Sequence, residues 1–296
     1  MLRSFKLLCL SVLIFALPSL ASAVDVEDEK GTFSIEYTPK RIVVLELSFA
    51  DALAAVGLGP IGIADDKEKS RVLPAVREAI GDWTSVGMRS QPSLEVIASL
   101  KPDLIIADIG RHEAVYEDLK KIAPTLMLRS RTETYEDNLA AAAIIGKVVN
   151  KNEAMQARLA KHHELMQSYK QTLTVSASFQ FGVVNSDLLY LHTEDSYAAG
   201  VIKAMGLENA KTGAKDKAYL PVSLEQLLGV NPDYLIVGEY TQPNALSNWK
   251  KEPLWKILKS VKNDHISYVN PNTWSRCRGI MAAEQMAQDL VKILTI

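Results

Sequence analysis

Twice along the chain a three-residue apolar rhythm gives way, across a proline, to an unbroken apolar run. From Ser93 the apolar residues Leu94, Ile97 and Leu100 precede Pro102 and the run at 104–107, and from Ser223 the same order returns as Leu224, Leu227, Val230, Pro232 and 235–238. Three-residue spacing behind a serine predicts an N-capped helix. Proline then ends it, and a continuous apolar run suits a parallel strand covered on both faces. An internal repeat of this kind predicts two similar α/β units in tandem. The flanking sequence agrees. Residues 39–46, 61–64 and 124–128 read as further strands, with a helix over 49–56, while 179–184 and 266–269 supply strands to the second unit. Between the units, 151–173 holds neither glycine nor proline, and Met155, Leu159, His162, Met166, Tyr169 and Leu173 form one stripe of an amphipathic helix. Such a helix would span roughly 35 Å at 1.5 Å per residue. His162 on that stripe reads as a packed imidazole and His163 beside it as a solvated one. The fold expected is α/β, two parallel-sheet lobes joined by a single long α-helix: an N-terminal lobe at 24–150, the linker helix at 151–173 and a C-terminal lobe at 174–296.

The first 23 residues lie outside that scheme. Arg3 and Lys6 precede an apolar stretch from Leu7 to Leu17 and then Ala21-Ser22-Ala23, the pattern of a cleaved signal peptide, so the mature chain is expected to begin at Val24. The apolar run falls short of the roughly 20 residues a spanning helix needs. Cys9 leaves with the leader, which isolates Cys277 and excludes an internal disulfide. Stability must therefore come from burial, for which 296 residues at 48% hydrophobic content are sufficient. The full chain carries 33 Lys and Arg against 35 Asp and Glu, a net charge of −2, so no global basic field invites nucleic acid. An exported, soluble, monomeric protein is expected, with any anion binding confined to a local site.

Motifs that carry enzyme chemistry are missing: there is no G-x-S-x-G elbow, H-E-x-x-H, Walker loop or G-x-G-x-x-G. With five scattered histidines, a dedicated metal cage is not expected either, nor any cofactor of the protein's own. The loops after the predicted strands are the places to inspect, because ligands of parallel sheets bind beyond the strands' carboxyl ends. Those loops carry Arg89, Arg111, Arg129, Arg131, Arg276 and Arg278. A guanidinium presents a planar fork that matches a carboxylate through two parallel hydrogen bonds. Several of them around one cleft imply a polyanionic, carboxylate-rich ligand; the alternative is ordinary pairing with Asp108, Glu113 or Glu133. Glu95 and Glu225 occupy equivalent positions in the two repeat copies, just inside a helix N-terminus, where the macrodipole favours an acid.

The segments 41–56, 59–65 and 86–95, with 100–106, Pro253-Leu254-Trp255 and Tyr268-Val269 ahead of Trp274, resemble the periplasmic siderophore and cobalamin binding proteins of ABC importers. The resemblance covers the chain from about Val24 onward. Within the family, Leu45–Asp51, Leu191-His192-Thr193 and 272–276 are most similar to members that take ferric citrate. It implies a periplasmic substrate-binding protein that carries Fe(III)-citrate to an inner-membrane ABC permease dimer, the iron held by citrate alone. Arg89 matches a ligand-contacting arginine of the family. Where hydroxamate-binding relatives carry aromatic residues, this chain has Arg111 and Arg276 and keeps Trp274, a change that suits an anionic chelate. Tyr219, His192 and Tyr197 are candidates to complete the wall, while Trp83, Trp249 and Trp255 read as packing. The glutamate pair, Glu95 and Glu225, is implied to meet arginines of the permease. Two rivals stand beside this reading: a binding protein for another anionic ferric siderophore, and an exported hydrolase built on Ser48 with His112 or Asp51.

Overall fold

The computed structural model describes residues 23–295. The predicted signal peptide, apart from Ala23, lies outside the described residues. The alternation of Val24 and Val26, then of Phe33 and Ile35, forms an antiparallel hairpin of β1 (Val24–Asp28) and β2 (Gly31–Ile35), an addition to the elements expected above. It is anchored by the backbone N–H of Glu29 donating to Met127 O at 2.9 Å and that of Met127 donating to Asp28 Oδ2 at 2.9 Å.

The first lobe is built on β3 (Ile42–Val44), β4 (Gly62–Ile63), β5 (Thr84–Ser85), β6 (Leu104–Asp108) and β7 (Thr125–Leu128), in the order β5-β4-β3-β6-β7 with every pair parallel. The reason β6 is an unbroken apolar run is visible in the layers. Leu104 and Ile106 face one core cluster and Ile105 and Ala107 the opposite one. The second lobe holds β8 (Ser178–Val184), β9 (Leu189–His192), β10 (Glu208–Asn209), β11 (Tyr219–Val222), β12 (Tyr234–Glu239) and β13 (Ile266–Val269). There β10, β8, β12 and β13 run parallel, whereas β9 and β11 pair antiparallel on one flank. β12 repeats the logic of β6, with Ile236 on one side and Leu235 and Val237 on the other.

The repeat copies fold alike. Ser93 Oγ accepts from Val96 N ahead of the helix Leu94–Ser99, and Ser223 Oγ accepts from Gln226 N ahead of Leu224–Val230. The interlobe helix runs Asn152–Lys170, shorter than the 151–173 stretch, and spans about 28 Å. Met155 and Leu159 enter the first lobe's core and Met166 the second's. His162, fully buried, contacts Tyr135 Oη at 2.5 Å through Nε2 and Glu284 Oε1 at 2.8 Å through Nδ1, while Arg158 donates to both oxygens of Glu284. Three helices are thus joined by one polar chain.

The C-terminal helix Ile280–Thr295 adds a second tie between the lobes. Ile280 and Ala282 pack into the first lobe's core, Ala283, Met286, Ala287 and Leu290 into the second's. Its start is capped from the other lobe by Asp51, whose carboxyl accepts from Met281 N at 3.1 Å and Ala282 N at 3.2 Å. Gly279 makes that approach possible, since a Cβ there would fall 2.1 Å from Asp51 Cγ. Burial, opposed by the two backbone donors, pushes the Asp51 carboxyl up to about 7. An acid held more protonated in the fold than in the unfolded chain contributes most below its unfolded value of about 4, and that contribution is lost as pH rises through about 7. Asp108 and Glu133, raised chiefly by burial, push in the same direction. Asp51→Asn keeps an oxygen for both N–H groups without the ionisation, so its urea midpoint should fall less steeply between about pH 4 and 7 than the wild type's. An unchanged slope in a series of urea titrations across that range would show that Asp51 is not the source.

Among the described residues, no helix is long and apolar enough to cross a membrane.

Candidate ligand-binding site

The strand ends of both lobes converge. Glu46 follows β3, Arg89 follows β5, Arg111 follows β6 and Arg131 follows β7; Tyr240 follows β12, and Ser275, Arg276 and Arg278 come after β13. With Val183, Tyr190, His192 and Tyr219, the five arginines, Tyr240 and Ser275 line a cavity of about 270 Å3 between the lobes. No acid lines it directly.

The carboxylate sits behind. Glu46 is 0% exposed, at the turn from β3 into the helix Leu47–Ala54, and lies 2.5 Å from Arg111 Nε, 3.4 Å from Arg89 NH1 and 2.9 Å from Arg278 NH2. Three guanidiniums from two lobes share one acid. Arg89 also meets Asp66, through Nε at 3.0 Å and NH2 at 2.8 Å, and Arg71 reaches the same oxygen. Burial acts to raise the Asp66 carboxyl, yet Arg89 and Arg71 outweigh it and hold the group at about 2. Burial likewise works against the charge on Arg278, but Glu46 outweighs it and keeps that guanidinium above its ordinary value.

The remaining two arginines are differently placed. Arg276 lies over the Tyr240 ring, 3.9 Å from its centroid, and donates to Asn272 Oδ1 at 2.5 Å. Arg131 is exposed, and its carbonyl accepts from Tyr219 Oη at 2.8 Å, a hydrogen bond that crosses from one lobe to the other. Among the described residues, neither has an acidic partner. Two guanidiniums are therefore available to an incoming anion, and three stand aimed behind them.

His192 forms part of the wall, edge-on to Tyr219 and against Phe181. Burial, with Arg278 adding to it, lowers this imidazole to about 3, so it is neutral at any physiological pH. Its buried Nε2 has no hydrogen-bond partner among the described residues.

Of the sequence candidates, Arg89, Arg111, Arg131, Arg276, Arg278, Tyr219 and His192 line one cavity. Trp274 does not. Its indole is 0% exposed, packs on Phe181 and donates Nε1–H to Asp289 Oδ2 at 2.9 Å. Tyr197 is also core, its hydroxyl donating to Gly279 O. Arg129 points away from the cleft and pairs with Glu29 at 2.9 Å. Glu95 and Glu225 are both exposed, each accepting from the serine that caps its helix, at 3.0 Å from Ser93 Oγ and 2.7 Å from Ser223 Oγ. Sequence reasoning missed Glu46, although an acid inside the apolar run Val44-Leu45-Glu46-Leu47 is a signal that burial will pair it.

The residues of a hydrolase do not assemble. Ser48 Oγ is bonded to Ser130 Oγ at 2.8 Å, and Asp51 caps the C-terminal helix. His112 Nδ1 accepts from Asp108 N at 2.9 Å, which leaves the proton on Nε2 to donate to Arg89 O at 2.7 Å. That imidazole, lowered by burial, fixes the Arg89 loop in place of serving as a base. Among the described residues, no group of three or more His, Cys, Asp or Glu is arranged to hold a metal ion.

Residues 42–273 match the periplasmic binding protein family. The chain is 49% identical over 275 residues to the Fe(3+) dicitrate-binding periplasmic protein FecB of Escherichia coli, covering 93% of this chain and 91% of that protein. It is 43% identical over 269 residues to the Fe(3+)-citrate-binding protein YfmC of Bacillus subtilis, covering 90% and 84%. Among solved structures, Staphylococcus aureus SirA complexed with staphyloferrin B superposes with a TM-score of 0.81 at 24% identity, covering 92% of this chain and 98% of that one, a likeness of fold.

Proposed function

Because the chain belongs to the periplasmic binding protein family, we propose that it binds ferric citrate in the interlobe cleft and delivers it to an inner-membrane ABC permease. The observation that carries this reading is the convergence of five arginines on one cavity in a chain so similar to ferric citrate binders. Citrate offers carboxylates for guanidinium forks and holds the iron itself, so the protein needs no metal-ligating side chain. Arg131 and Arg276, free of acidic partners, would grip first, and Tyr219 and Tyr240 would cover the flanks. In the same reading residues 1–23 are a signal peptide removed on export, the lobes are 24–150 and 174–296, and 151–173 is the linker. Glu95 and Glu225, one on each lobe, would meet cations of the permease. The protein acts without catalysis.

Titrating the protein with ferric citrate, iron-free citrate and a neutral ferric hydroxamate, and following tryptophan fluorescence or heat, tests the reading. Saturable binding of ferric citrate with none of the neutral chelate is expected; equal binding of the neutral chelate would refute the anionic cleft. In the same assay Arg276→Ala should weaken ferric citrate about tenfold, the low end of a lost charge-assisted hydrogen bond. The far-ultraviolet spectrum and melting temperature should stay near wild type, because Arg276 is half-exposed and joins no buried ion pair.

A further inference from the structure

An anion site that buries an acid is at first sight working against itself. Glu46 stands 0% exposed directly behind the cleft, and whatever it contributes it also repels the ligand. Without it, Arg89, Arg111 and Arg278 would share one desolvated space with no acid common to all three. Like charges so placed would turn away from one another or hold the lobes apart, and an arriving anion would have to order them first. Ordering long side chains subtracts from affinity. With Glu46 in place, Arg89 and Arg278 are held by hydrogen bonds to one of its oxygens, and Arg111 Nε is drawn against the other in an ion pair that lacks hydrogen-bond geometry. Arg278 also donates to Ser130 Oγ at 3.3 Å, and its NH1 to Ser275 O at 3.0 Å, so its head is fixed on both sides of the cleft.

We propose that Glu46 is a positioning and charge-setting residue of this cleft: it orients three ligand-facing arginines from both lobes and cancels one of their charges, which limits how negative an anion the site prefers. The inference rests on the reading of the cleft as a ferric citrate site. It assigns to the protein, not only to the ligand, the inner carboxylate of the arginine cluster. A buried charge is little screened by salt, whereas attraction of an anion from solution is screened strongly. Changing the charge of the cleft by one unit therefore changes how steeply affinity falls with ionic strength, a quantity that loosened packing alone does not move.

The test is calorimetric titration of ferric citrate at a series of salt concentrations with wild type, Glu46→Gln and Glu46→Asp. Glu46→Gln should steepen the fall of affinity with salt, and at the highest salt it should bind about tenfold or more weakly, since three guanidiniums have lost their common acid. Glu46→Asp, which keeps the charge and shortens the reach, should bind more weakly with the wild-type salt dependence. A Gln variant whose salt dependence matches wild type overturns the proposal, whatever its affinity. If Glu46→Gln alone does not fold, Arg278→Gln and the double variant Glu46→Gln/Arg278→Gln decide. The single change should flatten the dependence and the pair should restore it; a pair that stays as flat as the single change overturns the proposal. Wild type that fails to bind ferric citrate would overturn the ligand reading instead, so the two failures are distinct.

Discussion

Arg278→Ala should lower folding stability by about 3 kcal/mol, the lower end of the cost of removing one partner from a buried ion pair. The low end applies because Glu46 still has two other cationic partners, Arg111 and Arg89, which lie 2.5 Å and 3.4 Å from it in the wild type. The guanidinium is almost fully buried, and nothing in the vacated space replaces its contact with Glu46 or with Ser130. The same change removes the ion pair that ties residues beyond β13 to the first lobe, so the cleft should loosen as well as weaken. Urea denaturation would show a lower midpoint with an unchanged slope, and ferric citrate titration would show weaker binding. A loss under about 1 kcal/mol would mean that Arg89 and Arg111 compensate Glu46 by themselves and that Arg278 adds little to the fold.

The double variant Glu95→Ala/Glu225→Ala should leave folding and ferric citrate affinity near wild type, yet reduce iron delivery by roughly a hundredfold, within the range that electrostatic steering contributes to association. Both acids are exposed, start equivalent helices on separate lobes and contact nothing in the cleft. Hydrogen bonds hold both carboxyls below their usual range, for Glu95 from its own backbone N–H and then Ser93, for Glu225 from Ser223 and then its own backbone N–H. The measurement is uptake of radioactive iron from ferric citrate by cells that depend on this importer, repeated with reconstituted permease at low and high salt. The deficit should be largest at low salt, where steering is strongest. Normal transport by the double variant would reduce both acids to helix caps.

Much of this is legible in the sequence. The repeat located β6 and β12 because strands buried on both faces need apolar residues at every position, and the helix over 152–170 announced itself through its stripe. The antiparallel pair β9 and β11 was not legible. Leu189–His192 is nearly as apolar as a parallel strand, and the exposed Pro221 in Tyr219–Val222 marks a flank strand without giving its direction, which is set by the neighbour each strand meets. Side-chain aim in the 272–277 segment was equally hidden. It winds as a π-helix, in which residues two apart point to nearly opposite sides, so Trp274 turns into the core while Arg276 reaches the cleft. Arg278 then takes a left-handed backbone, φ 46°, and swings back toward Glu46. The arginines could be found by their place after strands; the acid they share could not, because its three partners come from distant parts of the chain.

The C-terminal helix has a consequence for how the molecule is made. The first lobe's sheet is complete by Leu128, but its core is finished only by Cys277, Ile280 and Ala282. The contacts that finish it are among the longest in sequence that the described residues contain. Folding dominated by such distant pairings is slow, since the loop must be closed before the contacts reward it.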